Sequence, residues 1–498
     1  MTETVADFDV LIVGAGLSGI GAAVHLQRDC PDRSFAILEG RDAIGGTWDL
    51  FRYPGIRSDS DMYTLGYRFK PWTAAKSIAD GPSIRSYIHE TAQEHGLEQH
   101  IRFGHKVQSA AWDSASARWT VTAARKDGST TQFTCNFLYM CSGYYSYSQG
   151  YKPEWPGEAT FNGPIIQPQF WPEALDYAGK KVVIIGSGAT AVTLVPEMAK
   201  QAARVTMLQR SPTYVVSLPG SDRIANILRA VLPAQMAYDL VRWKNVSFGM
   251  WFYKQTRKHP EKVRANLLGR LKKLLPETFD TARHFTPKYN PWDQRLCAVP
   301  DGDLFKAISD GKADVVTDTI TSFEPGGIRL ASGSLLEADI IVAATGLKLE
   351  ALGGMAVSVD GEPRRIADAL AYKGMMFSGI PNLAISFGYI NASWTLRSDL
   401  IAEYVGRLLN HMKASGTSIA TPTPSPDVHP QRLAMDLSSG YVQRGADALP
   451  RSGNRAPWVV TANYTLDRQE LRDGALGDDM VFTRPHAVSR PALAEAAE

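Results

Sequence analysis

The stretch "DVLIVGAGLSGIGAAVHL", residues 9–26, leaves few folds open to the chain. An unbroken apolar run, the mark of a strand buried on both faces, gives way to Gly14-x-Gly16-x-x-Gly19 and continues as an apolar helix. The next strand, "SFAILEG", ends in Glu39, twenty residues past Gly19. Glycines in such a turn let the backbone approach a pyrophosphate, whose charge sits at the helix N-terminus. Glu39 is then placed to accept hydrogen bonds from the ribose hydroxyls of an adenine dinucleotide. A plain strand-to-helix turn is the alternative, and the acid at this distance weighs against it.

The same grammar returns in "KKVVIIGSGATAVTLVPEMA", where Gly186-x-Gly188-x-x-Ala191 again separates a strand from a helix. The strand after it, "RVTMLQRSP", ends in Gln209-Arg210 where the first unit has an acid. An arginine there, free of a competing carboxylate, suits a 2′-phosphate and so NADPH, although a strand-end arginine can also be an ordinary surface residue. Two dinucleotide folds in one chain point to a flavoprotein reduced by nicotinamide. "ADIIVAATGLKL" (338–349), a buried strand closing on Thr345-Gly346, suits a return of the chain to the flavin domain.

The expected architecture is α/β, with two Rossmann-like domains and a helical insert, and 498 residues suffice for more than one domain. A first flavin-binding part spans 1–145, and a linker with the first part of the nicotinamide domain spans 146–219. Residues 220–300 form the insert, with helical periodicity over 220–285; 301–346 complete the nicotinamide domain, and 347–498 return to the flavin domain. The insert carries a basic run from Lys254 to Lys273 that suits either a solvated helix face or a membrane surface. The net charge of +2 gives no nucleic-acid footprint. Cys30, Cys135, Cys141 and Cys297 lack redox or zinc spacing, which excludes a dithiol reductase and fits a cytoplasmic protein. The acidic start "MTETVADFD" has no secretory pattern, no apolar run reaches about 18 residues, and "ALAEAAE" reads as a frayed tail.

"GGTWDLFRYPGIRSD" carries Gly-x-Trp-x4-Tyr-Pro-Gly-x3-Asp from Gly46 to Asp59. "FNGPIIQPQFWP" (161–172) carries Phe-x-Gly-x3-x-x3-Trp-Pro, with Gln167 in a slot that is elsewhere a histidine. With "FTPKYNPWDQRLCAVPDGDLFKAI" and "FGYINASWTLRSDL", these motifs resemble the type I Baeyer–Villiger monooxygenases, near the ethionamide-activating group, over residues 8 to about 465. The resemblance implies a flavin-containing monooxygenase fold with FAD and NADPH. It implies contacts to FAD from Ser18, Glu39, Thr47, Trp48, Asp59 and Val107. It implies contacts to NADPH from Arg57, Ser58, Ser187, Gly188, Ala189, Thr190, Ala191, Val192, Gln209 and Arg210.

Arg295 is the implied catalytic arginine, a cation that cannot lose its proton, stabilising a C4a-peroxyflavin and then the oxyanion of a carbonyl adduct. Asp59 would pair with Arg295 and orient it. The implied reaction turns ketones into esters or lactones with O2, with thioether sulfoxidation as a companion activity. A glutamine at 167 keeps a donor and an acceptor but carries no titrating charge, so the change retunes the linker rather than removing the chemistry. The rivals are oxidation mainly of sulfur or nitrogen centres, a largely uncoupled NADPH oxidase, and a flavin-binding regulatory or membrane-surface protein. The natural substrate and the oligomeric state are not written in the sequence.

Overall fold

The computed structural model describes residues 6–485 except Asp436. The first five residues and the segment "ALAEAAE" lie outside the described residues. The first sheet takes six strands from the N-terminal part: β1 (Ala6–Val13), β2 (Phe35–Leu38), β3 (Ile101–Arg102), β4 (Lys106–Asp113), β5 (Arg118–Ala124) and β6 (Thr130–Met140). Their spatial order is β3-β2-β1-β6-β5-β4. β1 runs parallel to both neighbours, with Val13 opposite Leu38 on one side and Met140 on the other. Four successive buried residues, Val10 to Val13, follow from that central place, since a parallel strand covered on both faces has no polar side to show. β4, β5 and β6 pair antiparallel, and here buried and exposed residues alternate.

Strands from far along the chain complete this sheet. Ala356–Val359 lies parallel to β4, and Leu383–Ile385 lies parallel to β6. The second sheet is parallel throughout, in the order Ala313–Thr317, Arg204–Gln209, Lys181–Ile185, Ile340–Ala343, Ile165–Ile166. Each sheet buries its own apolar cluster, one around Ile12, Tyr67 and Tyr404, the other around Ile184, Val195 and Phe305. The two sheets are the two Rossmann-like units.

Between the strands Arg204–Gln209 and Ala313–Thr317 of the second sheet the chain forms helices Arg223–Val231, Ala234–Lys258, Pro260–Lys272 and Thr281–Phe285. The helical stretch ends there, short of residue 300: Cys297–Pro300 is a strand parallel to Val215–Leu218, with alternate residues buried. Four residues are too few for helical periodicity to mark their state. Tyr238 and Arg242 fix the long helix to the first core, the guanidinium donating to the carbonyls of Tyr63 and Gly66 at 2.8 and 2.9 Å. Among the described residues, no helix is long and apolar enough to cross a membrane. The four cysteines are free and buried.

Candidate functional site

The two glycine turns share a construction. Gly14 has φ +106° and Gly186 φ +137°, a region that side chains avoid. A Cβ on Gly14 would stand 2.6 Å from the Cys141 carbonyl oxygen, and one on Gly186 2.3 Å from that of Ala344. Each donates its N–H to the end of the neighbouring strand at 2.8 Å, Gly14 to Leu38 and Gly186 to Leu208. Gly19 has no room either, since a Cβ there would meet the Gly14 carbonyl at 1.8 Å.

Their surroundings differ. Gly16 lies against Gly46, so the first turn is wrapped by the loop that carries Thr47 and Trp48. Around Gly188 nothing would lie within 4 Å of an added Cβ, and Gly188 and Ala189 are exposed. Ser187 caps this open turn sideways, its hydroxyl reaching Thr213 Oγ1 at 3.0 Å. Thr190 is in the first turn of the helix Ala189–Met198, while Ala191 and Val192 are buried on its inner face.

At the first turn Glu39 is buried, and its two carboxylate oxygens accept from the amides of Ala15 and Arg41 at 2.7 and 2.9 Å. Burial outweighs those hydrogen bonds and raises its pKa above the ordinary glutamate value. Val107 is buried in β4, two residues past His105, whose amide donates to the Glu39 carbonyl at 2.9 Å. Thr47 Oγ1 and Tyr145 Oη share a hydrogen bond of 2.6 Å, and Trp48 packs against the first core. Ser18, in the first turn of the helix Leu17–Asp29, accepts the indole N–H of Trp394 at 2.8 Å.

Arg295 and Asp59 meet in a two-point ion pair, 3.0 Å from Nε to Oδ2 and 3.1 Å from Nη2 to Oδ1. The carboxylate drives the guanidinium pKa still higher, and the Tyr144 and Tyr441 phenols lie close enough to add to this. Burial pushes the nearby Cys297 thiol up to about 12, so it stays protonated. Tyr144 stacks on Trp394 with ring centres 5.3 Å apart, and Phe387 closes on Trp394 at the same distance. An aromatic cluster, Tyr144, Phe387 and Trp394, therefore reaches Ser18 through the Trp394 indole, and Tyr144 is the member near Arg295.

A second ion pair of reversed polarity ties the same two segments: Arg57 donates to Asp303 at 2.5 and 3.3 Å. Ser58 is buried, its hydroxyl donating to the Ser60 carbonyl at 2.8 Å. In the second unit Gln209 is buried with its amide committed to the His284 carbonyl and Thr317 Oγ1, at 2.7 and 2.9 Å. Arg210 is exposed, facing Arg444, which stacks on the Tyr151 ring at 3.5 Å.

The linker motif resolves residue by residue. A Cβ at Gly163 would stand 2.1 Å from the Asp339 carbonyl, which explains a glycine there. Trp171 packs on the second core. The Gln167 side chain makes no hydrogen bond among the described residues, whereas buried Gln169 donates to the Ser146 carbonyl at 2.8 Å. Gln169, Tyr144 and Asp303 are site residues that sequence reasoning missed. The aromatic density of "CSGYYSYS" was the one available signal for Tyr144.

A model of flavin-binding monooxygenase-like proteins matches residues 78–246, and one of NAD(P)-binding Rossmann-like domains matches 12–73. The chain is 53% identical over 487 residues to the FAD-containing monooxygenase EthA of Mycolicibacterium smegmatis, covering 98% of each. Among solved structures it is similar to a steroid monooxygenase bound to NADP, with TM-score 0.76 and 21% identity over 96% of this chain and 100% of that one. It is likewise similar to ε-caprolactone-bound cyclohexanone monooxygenase, with TM-score 0.74 and 19% identity over 96% and 100%. At those identities the structures establish a shared fold.

Proposed function

The chain belongs to the FAD-containing monooxygenases, and on that premise we propose that it is a Baeyer–Villiger enzyme, inserting one oxygen atom of O2 beside a ketone carbonyl to give an ester or lactone. It is an NADPH-dependent flavoenzyme. The residues present suit FAD at the first turn. Glu39 faces the turn as an acceptor for ribose hydroxyls, and the buried Ser142 hydroxyl beside Gly14 has no partner among the described residues. They suit NADPH at the second, where the space above Gly188 is clear and Arg210 offers an exposed cation. When bound, the flavin passes electrons from NADPH to O2 and supplies the oxygen to be inserted.

The observation that carries the reading is the two-point Arg295–Asp59 pair, with the aromatic cluster of Tyr144 and Trp394 beside it reaching Ser18 next to the first glycine turn. Arg295 holds a fixed positive charge where the carbonyl oxygen becomes negative, an effect worth several kcal/mol in a water-poor site. Asp59 sets the plane of the guanidinium through two hydrogen bonds and so aims it. Tyr144, Phe387 and Trp394 form an aromatic cluster that would help to limit water at a carbonyl bound beside Arg295. The wrapped first turn suits a cofactor that stays, and the open second turn one that exchanges. Four buried free thiols suit a reducing, cytoplasmic setting.

The test is turnover of FAD-loaded enzyme with NADPH, 18O2 and a panel of ketones and thioethers. One labelled oxygen in an ester or lactone, with little hydrogen peroxide, is the expected result. Sulfoxide as the main product, or NADPH oxidation recovered almost wholly as peroxide, overturns it.

A further inference from the structure

The helical segment 220–285 has thirteen Lys and Arg against five Asp and Glu, a net +8 in a chain whose total is +2. Its first two helices also place apolar side chains outward. On Arg223–Val231, Ile224, Ile227 and Val231 are exposed, at the i, i+3, i+7 spacing of one face. On Ala234–Lys258, Met236, Leu240, Trp243 and Trp251 are exposed and at 3.6 residues per turn fall within roughly an 80° arc, with Phe248, also exposed, about 60° beyond it. Trp243 is 69% exposed and Trp251 54%. Ala237, Tyr238 and Val241 on the other side of this helix are buried in the protein. The outward stripe ends in Lys254 and Lys258, which are exposed and make no ion pair among the described residues.

We propose that this ridge, the outer faces of helices Arg223–Val231 and Ala234–Lys258, docks the enzyme on an anionic lipid bilayer surface. Apolar and tryptophan side chains on one helix face, bordered by lysines and free of spanning length, match a helix lying in the interfacial plane. The charge selects lipid over a second copy. An isologous dimer through this face would bring two strongly positive segments together, whereas acidic headgroups neutralise them. The reverse of the long helix touches the segments that carry the ion pair. Asn245 donates to Asp61 at 2.9 Å, Arg257 pairs with Asp293 at 2.8 Å, and the Tyr253 ring meets Trp292. Docked this way, Asp59 and Arg295 lie behind the lipid-facing helix, and an apolar substrate concentrated in the bilayer is close to the site. The docking claim does not depend on the reaction assigned above.

The experiment is co-sedimentation of FAD-loaded enzyme with vesicles of phosphatidylcholine alone and of phosphatidylcholine mixed equally with phosphatidylglycerol. Binding to the mixed vesicles that added salt releases, with little binding to phosphatidylcholine, is expected. Trp243→Ser with Trp251→Ser, and separately Lys254→Glu with Lys258→Glu, should each weaken it by on the order of tenfold or more while FAD content and NADPH oxidation in solution stay unchanged. The lysine pair is fully surface-borne, so it serves if the tryptophan pair harms folding. Three results overturn the proposal: no binding to acidic vesicles at low salt, variants that bind like the parent, or a parent dimer that the tryptophan substitutions convert to monomer.

Discussion

Arg295 and Asp59 stand 236 residues apart in the chain and share two hydrogen bonds. Asp59 comes from the loop that follows Gly55, and Arg295 from just ahead of the strand Cys297–Pro300, which packs in the second core. Replacing Arg295 by Ala should lower oxygenated product by roughly a hundredfold or more while FAD binding persists. Asp59→Asn should retain some activity, because the amide still accepts one hydrogen bond. Product and peroxide measured per NADPH separate the two variants, and equal loss in both would contradict an orienting role for Asp59.

Gly186→Ala and Gly188→Ala should part company. The first forces a Cβ to 2.3 Å from the Ala344 carbonyl at φ +137°, so unfolding should become easier by a few kcal/mol, about the cost of such strain. At Gly188 the added methyl meets nothing and φ is −82°, so stability should hold. It would occupy the space that a pyrophosphate needs, and KM for NADPH should rise. Thermal melting and steady-state kinetics on both variants give the comparison.

Asp399 joins helix Trp394–Ser415 to the helical insert through Arg242, at 3.3 Å, with both side chains buried. Burial alone would raise its pKa, but His25, Arg242 and the Arg68 amide outweigh that and hold it below the ordinary 3.8. A depressed carboxylate stabilises the fold above its unfolded pKa and loses that contribution as pH falls through the folded value. Asp399→Asn should cost about 3 kcal/mol at neutral pH and flatten the fall of Tm below about pH 4. A melting series over pH for parent and variant tests both statements.

Gln169→Ala should destabilise by roughly 1–3 kcal/mol because it strands the Ser146 carbonyl, whereas Gln167→Ala should stay within about 0.5 kcal/mol. Gln167→His introduces a ring where no partner waits, so coupling of NADPH to product should change little. Denaturant unfolding and peroxide yield are the readouts, and a large gain in coupling from the histidine would show that position 167 acts in another arrangement of the two units.

Both Rossmann-like units were legible because parallel strands buried on two faces write themselves as apolar runs, and the turns need glycine for a steric reason that sequence preserves. The site was legible only in pieces. Nothing local announces that Trp394 will reach Ser18, that Tyr144 will lie against Trp394, or that Arg57 will be held by Asp303, since each contact joins distant parts of the chain. Gln209 reads as a strand-end recognition residue, yet its amide is spent inside on His284 and Thr317. Helical periodicity located the insert and could not say which stripe faced outward, so Trp243 and Trp251 gave no sign of their exposure.

Arg57–Asp303 and Asp59–Arg295 set alternating signs against alternating signs across one seam. Correct registry satisfies both pairs at once. Sliding one segment by the spacing of the charges would set Arg57 against Arg295 in one direction, or Asp59 against Asp303 in the other, and would leave the remaining two charges unpaired, so the seam resists shear. The charge pattern works as a key that admits a single alignment of the two segments and so fixes where the guanidinium stands.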